Sequence, residues 1–362
     1  MDLSALNPIS LVVSIMIAAT PLLFAAIGEL VTEKSGVLNL GVEGMMIFGA
    51  ICGFAVAVET GSPMLGVVAA AFGGAALSLI FGVLTQYFLS NQVATGLGLT
   101  LFGLGLSALI GQPYAGIKPP DFPALDIDGF TAQTLSIDPL IPLSILLVLL
   151  VWLFLTYSRA GLTLRAIGEN HDAAHSLGYN VIAIRMAAIG FGGACAGIGG
   201  AYLSLIRVPQ WTEGMTAGAG WIALAIVVFA GWRPWLAVIG AYVFGGVTIL
   251  QLNIQALDVD PFMAFGMALI ALAILFAIAY GIAQSLKKSS DSFLVGGVLV
   301  LVIGAICLLI SFFTDWALQS QYLSMTPYLV TIVVLVIMSA DKTRTSLNAP
   351  ASRWRGRLIS RC

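Results

Sequence analysis

His171 and His175 are the whole imidazole complement of this 362-residue chain, and at i, i+4 they share one helix face with Asp172 beside them. Two imidazoles and a carboxylate begin a metal site, but a closed tetrahedral site needs more ligands than a solvent-exposed helix supplies here. A polar contact face is the expected role, with no metal. No other spacing suggests catalysis: the chain carries no GxxxxGK(S/T) phosphate loop, no HExxH pair and no nucleophile elbow. We expect no catalytic residue and no cofactor in this chain. If ATP powers it, another chain must bind the nucleotide. Cys52, Cys195 and Cys307 sit in apolar runs and Cys362 is terminal, so redox chemistry and a disulfide framework are not expected either.

Polar groups in apolar surroundings carry the remaining chemical signal. Glu29 and Glu43 fall within greasy stretches, where a charge at a membrane helix centre costs ~2.5 to 3.5 kcal/mol, so they should face protein, water or a partner such as Lys34. For Glu29 and Glu33 the inner membrane edge is an equally good explanation. Glu43 lies further into its span, and a functional or fold-critical pairing is expected there. Asn39 and the pair Asn91 and Gln92 stand where helices break, where they either cap free backbone groups or, with Thr95, line a solute path.

The elements that must position these groups follow from composition. Hydrophobic residues make up 59% and charged residues 9% of the chain, against about 25% charged in soluble domains. Mean hydropathy is +1.03, so the chain belongs in a bilayer. Apolar stretches approaching the ~20 residues needed to span recur near 9–31, 37–58, 63–89, 92–112, 139–157, 182–206, 217–232, 235–257, 262–284, 292–313 and 323–340. The fold class is therefore all-α, a polytopic transmembrane bundle of about 9–11 spans. The first stretch has no preceding Lys or Arg and no convincing small-residue cleavage site, and is read as a retained span. Glycine-rich runs such as GGACAGIGG at 192–200 read as close helix packing.

Orientation follows from the basic residues. With the tail after Met338 inside, every one of the 15 Lys and Arg residues except Lys118 and Arg207 falls on the inner side, and acids such as Glu59, Asp121, Asp138 and Glu213 collect outside. The N-terminus is then out and the C-terminus in. Residues 113–138, Pro- and Asp-rich with Tyr114, Phe122 and Phe130, form a long outer loop, either a docking surface or a lid on the outer mouth. The charged stretch at 159–181 lies inside. Its acids near Glu169 and Asp172 suit a helix start, and Gly178 suits a helix end. A short helix across the inner mouth, of about ten residues, is expected.

Three ordered motifs carry a resemblance: EKSGVLNLGVEGMM at 33–46, SNQVATGLGLT at 90–100 and RAGLTLRAIGENHDAAHSLGYN at 159–180. Together they resemble the permease subunits of ABC importers for nucleosides and simple sugars, relatives of the ribose and branched-chain amino acid permeases. The similarity runs from about residue 10 to 257 and resumes at 324–339. It implies that Glu169, Asn170, Asp172, Ala173, Ala174 and Gly178 form a coupling helix in a groove of a cytoplasmic ATPase. It further implies a second homologous permease subunit, ATP and Mg bound by the ATPase chains, and a periplasmic or lipid-anchored solute-binding protein. No nucleic acid partner is implied.

The chain departs from the family pattern at 261–318, where an extra hairpin of two uniformly apolar spans is expected to face lipid. The expected organisation is a permease domain at 1–341, containing a coupling loop at 158–181, and a basic cytoplasmic tail at 342–362. The expected function is solute import across a bacterial inner membrane by alternating access, with a nucleoside or related polar solute first and a simple sugar or branched-chain amino acid next. An ion-coupled secondary transporter is the rival, disfavoured by the scarcity of buried charge.

Overall fold

The computed structural model describes residues 8–123, 125–127 and 135–256, with scattered positions between 266 and 309. The chain divides into two units, Met1–Gly246 and Val247–Cys362. Along the described residues run α1 (Pro8–Lys34), α2 (Val42–Thr60), α3 (Pro63–Gln86), α4 (Gln92–Gly111), α5 (Leu140–Tyr157), α6 (Arg159–Glu169), α7 (His171–Ser176), α8 (Val181–Tyr202), α9 (Ala219–Phe229) and α10 (Pro234–Ala256). Among the described residues seven helices, α1 to α5, α8 and α10, are long and apolar enough to cross a membrane. The protein is a polytopic helical bundle.

Each of the first eight expected spans coincides with a helix. The stretch at 217–232 yields only α9, whose 11 residues rise about 16 Å, roughly half of a ~30 Å hydrocarbon layer. The spans at 262–284, 292–313 and 323–340, the hairpin at 261–318 and the tail lie outside the described residues, apart from scattered positions.

One boundary moves for a local reason. The second span was expected from residue 37, yet α2 begins at Val42 because Ser35–Gly41 is not helical. Gly36 holds φ +85 there, a left-handed conformation that glycine takes without the Cβ clash of other residues. The Asn39 side chain then accepts from the Gly41 backbone N at 2.9 Å, an Asx-type bond that competes with helix.

The bundle is organised around α2 and α8. α8 packs against α1, α2 and α3, and its small residues set the distance. Gly192 lies against Gly28, Gly193 against Ser78 and Gly74, and Gly197 against Gly49 and Ala70. Such close backbone approach needs small side chains and replaces the hydrophobic driving force that lipid does not supply between helices. The run GGACAGIGG is thus a packing surface, as expected. Large side chains fill the remainder, with Phe54, Ile47, Ile51 and Trp211 forming one buried cluster. Away from it α3, α4 and α5 expose Phe72, Leu101, Leu109 and Leu150, an apolar exterior suited to lipid.

The loop at 113–138 is described in part. Tyr114 stacks edge-on against Phe54 and Phe122 packs on the same cluster, so this portion leans on the protein's own surface. Beyond it two three-residue strands pair antiparallel, Leu125 opposite Ile137. Phe130 lies outside the described residues.

Candidate transport path and coupling surface

Glu29, Asn39 and Gln92, three of the polar residues singled out in the sequence, meet at the segment Ser35–Gly41 between α1 and α2. Glu29, 1% exposed on α1, accepts from the Asn39 backbone N at 3.2 Å and from Asn39 Nδ2 at 3.4 Å. From α4, Gln92 Oε1 accepts from the Leu38 N at 2.9 Å, and the Thr100 hydroxyl donates to the Leu40 carbonyl at 3.2 Å. A non-helical backbone inside an apolar bundle must satisfy its N–H and C=O groups with side chains, and these residues do that. Lys34 was the anticipated partner of the buried acids. It forms no ion pair with Glu29 or Glu43 among the described residues, because both carboxylates are already turned to nearer donors.

Glu43 sits in the first turn of α2 and reaches across to α9. Its Oε1 accepts from the Thr216 hydroxyl and its Oε2 from the Gly220 N, each at 2.8 Å. Gly220 is the second residue of α9, so the carboxylate meets both an otherwise orphaned N–H and the positive end of a helix dipole. Gly220 has to be small, since a Cβ there would stand 2.5 Å from the Glu43 N. At the other end of α9, Trp232 Nε1 donates to Glu33 Oε2 on α1. The short helix is thus held at both ends by carboxylates that flank Ser35–Gly41.

Of the other path candidates, Asn91 caps α4 by accepting from the Ala94 N at 3.1 Å, and Thr95 shares a 2.8 Å hydroxyl contact with Ser90. Asn91 is exposed at the helix start. Asn39 and Gln92 are therefore bonded within or to Ser35–Gly41 and Glu43, just after it, is turned to α9, while Asn91 and Thr95 make only local contacts at the beginning of α4.

The charged stretch after α5 forms two helices rather than one. Ser158 caps α6 by accepting from the Gly161 N at 2.9 Å. α6 ends at Glu169, and Asn170 then caps α7 by accepting from the Ala173 N at 3.0 Å. The expected helix of about ten residues is in fact the six residues His171–Ser176, because the Asn170 side chain competes for the backbone and restarts the helix. Asp172, Ala173 and Ala174 lie in α7, and Glu169 does not. Gly178 follows at φ +85, its N bonded to the His175 carbonyl at 2.9 Å and the next residue's to Ala174 at 3.2 Å, closing the helix as expected. His171 Nε2 lies 3.3 Å from Asp172 Oδ1, with both side chains exposed.

Two links join this region to the segment between α1 and α2. A Cβ at Gly168 of α6 would collide with the Lys34 carbonyl, so the two backbones touch. Arg185 of α8 donates through Nε to the Ser35 carbonyl at 3.1 Å and through Nη1 to Gln86 Oε1 at 3.4 Å. In the sequence Arg185 reads only as an inner-side charge and Glu33 as either a functional group or a charge at the membrane edge, while Thr216, Gly220 and Trp232 give no signal of their own. The demand of a buried Glu43 for donors was the one signal that could have pointed to the polar stretch around Thr216.

Comparison with known proteins bears on these features. A protein of Haloferax volcanii described provisionally as a glucose ABC transporter permease protein, TsgC13, is 42% identical over 257 residues, 67% of this chain and 78% of that one. The nucleoside ABC transporter permease NupC of Lactococcus lactis is 29% identical over 68% of this chain and 84% of its own length. The guanosine ABC transporter permease NupQ of Bacillus subtilis is 30% identical over 64% and 78%. No solved structure matches the chain. The model of the branched-chain amino acid transport system permease component family matches residues 11–258, which take in the capped segment, Glu43 with α9, and both helices after α5. The chain belongs to that family of membrane permease components.

Proposed function

We propose that this protein is the membrane-spanning subunit of an ABC importer and carries a nucleoside or related small polar solute inward by alternating access. As a permease component it works with ATPase and solute-binding components. The observation that supports the mechanism is the interrupted backbone at Ser35–Gly41, with polar partners from α1, α4 and α8, followed by Glu43 bonded to the half-length α9. Unwound segments and half-helices within a membrane bundle are where solutes are bound and passed. In this reading Asn39, Glu43 and Gln92 border the path, and Asn91 and Thr95 stand at its inner end.

The α6–α7 turn docks in the ATPase, with Glu169, Asn170, Asp172, Ala173 and Gly178 at the contact and the buried Ala174 seating α7 on the rest of the protein. ATP and Mg bind on that partner, two permease subunits pair around one path, and a periplasmic or lipid-anchored binding protein delivers solute. The membrane is the bacterial inner membrane, with the N-terminus out and the C-terminus in.

A simple sugar is the second reading, favoured by the 42% identical glucose-type relative. Purified complex in liposomes distinguishes them: ATP-driven uptake of radiolabelled guanosine or uridine, competed poorly by glucose, is expected. Preferential uptake of glucose would replace the first reading by the second. Uptake by the permease alone, driven by an ion gradient, would overturn both.

A further inference from the structure

An apolar groove of about 630 Å³ opens beside the two polar helices, lined by α1, α5, α6 and α8. Its walls repeat at helical spacing on two helices: Leu147, Leu150 and Phe154 on α5, and Ile184, Ala187 and Phe191 on α8. Each set covers eight residues, seven steps or about 10 Å along the helix axis. The groove therefore runs parallel to the spans, along the direction of a lipid tail. Of its lining residues only Thr163 and Tyr179 carry polar side-chain atoms, and the Thr163 hydroxyl is spent on the Arg159 carbonyl at 2.9 Å. A small polar solute would find almost nothing to bond there.

The rim is different from the walls. Thr163 and Tyr179 sit on the segments that leave the bundle after α5, and Arg159 is exposed one turn before Thr163, at the N-terminal end of α6. Arg159 forms no ion pair among the described residues. The groove floor is also continuous with the exposed apolar row of α5, Leu143, Leu146, Leu150 and Leu153. Hydrocarbon walls along the spans, with exposed Arg159 next in sequence to the lining residue Ala160, match the two chemical halves of a phospholipid.

We infer that this groove holds one acyl chain of a phospholipid from the leaflet on the α6 side, its phosphate near Arg159. The lipid would lie between α5 and α8, against Ala160, Thr163 and Leu164 of α6. This assignment does not depend on the solute or on the ATPase.

The test uses the full-length protein in nanodiscs containing a phospholipid with a diazirine in its acyl chain. Peptides covering 147–154 and 184–191 should carry several-fold more label than the exposed faces of α3 and α4. Ala187→Trp and Leu150→Trp each place an indole in the groove and should cut that label several-fold, while labelling of α3 is unchanged. The two variants lie on different helices, so loss of one to misfolding leaves the other. Arg159→Gln should reduce the preference for an anionic over a zwitterionic probe. Label spread evenly over the apolar exterior, label that neither tryptophan displaces, or a groove left unlabelled because a second copy of the chain covers it, would overturn the assignment.

Discussion

At the level of single residues, Glu43 has the most specific job that the structure reveals. Glu43→Leu leaves the Thr216 hydroxyl and the Gly220 N–H without an acceptor, and each unsatisfied buried group costs ~1–3 kcal/mol. We expect lower yield of folded protein and loss of uptake. Glu43→Gln keeps the shape and one carbonyl acceptor, and should restore yield before it restores transport. Wild-type uptake in Glu43→Leu would show that α9 needs no such anchor. Gly178 is the other informative position. A Cβ there meets nothing within 4 Å, so Gly178→Val is penalised by its backbone alone, ~1–2 kcal/mol for a left-handed residue. The variant should reach the membrane normally, yet ATP hydrolysis by the reconstituted complex should respond weakly to loaded binding protein, with Gly178→Asn close to wild type. Both residues were legible as sequence, Glu43 by its apolar neighbours and Gly178 by its place after a polar run. Their partners were not, since Thr216 lies 173 residues from Glu43 and no local pattern encodes a pairing across the bundle.

Among the elements, α8 depends on its glycines more than on its large side chains. At Gly197 a Cβ would strike the Ala70 carbonyl, and at Gly28 of α1 it would stand 2.6 Å from the Cys195 Cβ. Leucine at either site should destabilise by ~1–3 kcal/mol or more, because overpacked helices must separate. Gly98 of α4 has open space at that distance, so Gly98→Leu should be mild. Melting temperatures in detergent, read by size-exclusion chromatography after heating, give the comparison. Equal melting of Gly197→Leu and Gly98→Leu would contradict the packing argument. Apolar length foretold the existence of these helices, and the small-residue run at 192–200 foretold close packing there, though not that α8 would be central. Two features escaped: the delayed start of α2 and the break between α6 and α7. Both arise where an Asn side chain takes a backbone N–H, at Asn39 and Asn170. Hydropathy averaged over a span is insensitive to a competition fought over one bond.

For the molecule as a whole, the asymmetry of Lys and Arg sets a testable orientation. Lys118→Cys should label from outside intact cells and Asp172→Cys only in inverted vesicles, both positions being exposed. Labelling of the two from the same side would reverse or break the proposed topology. The contact between Gly168 and Lys34 bears on how such a machine could work. Most helices meet through side chains, which have rotamers to spare and absorb small displacements. Here main chain rests on main chain, without an intervening layer that can yield. If an ATPase moves α6, the joint has almost no backlash: the first fraction of an ångström at α6 is already displacement at the end of α1. Replacing Gly168 by a residue with a flexible side chain would have inserted a spring where the protein has a rigid bearing.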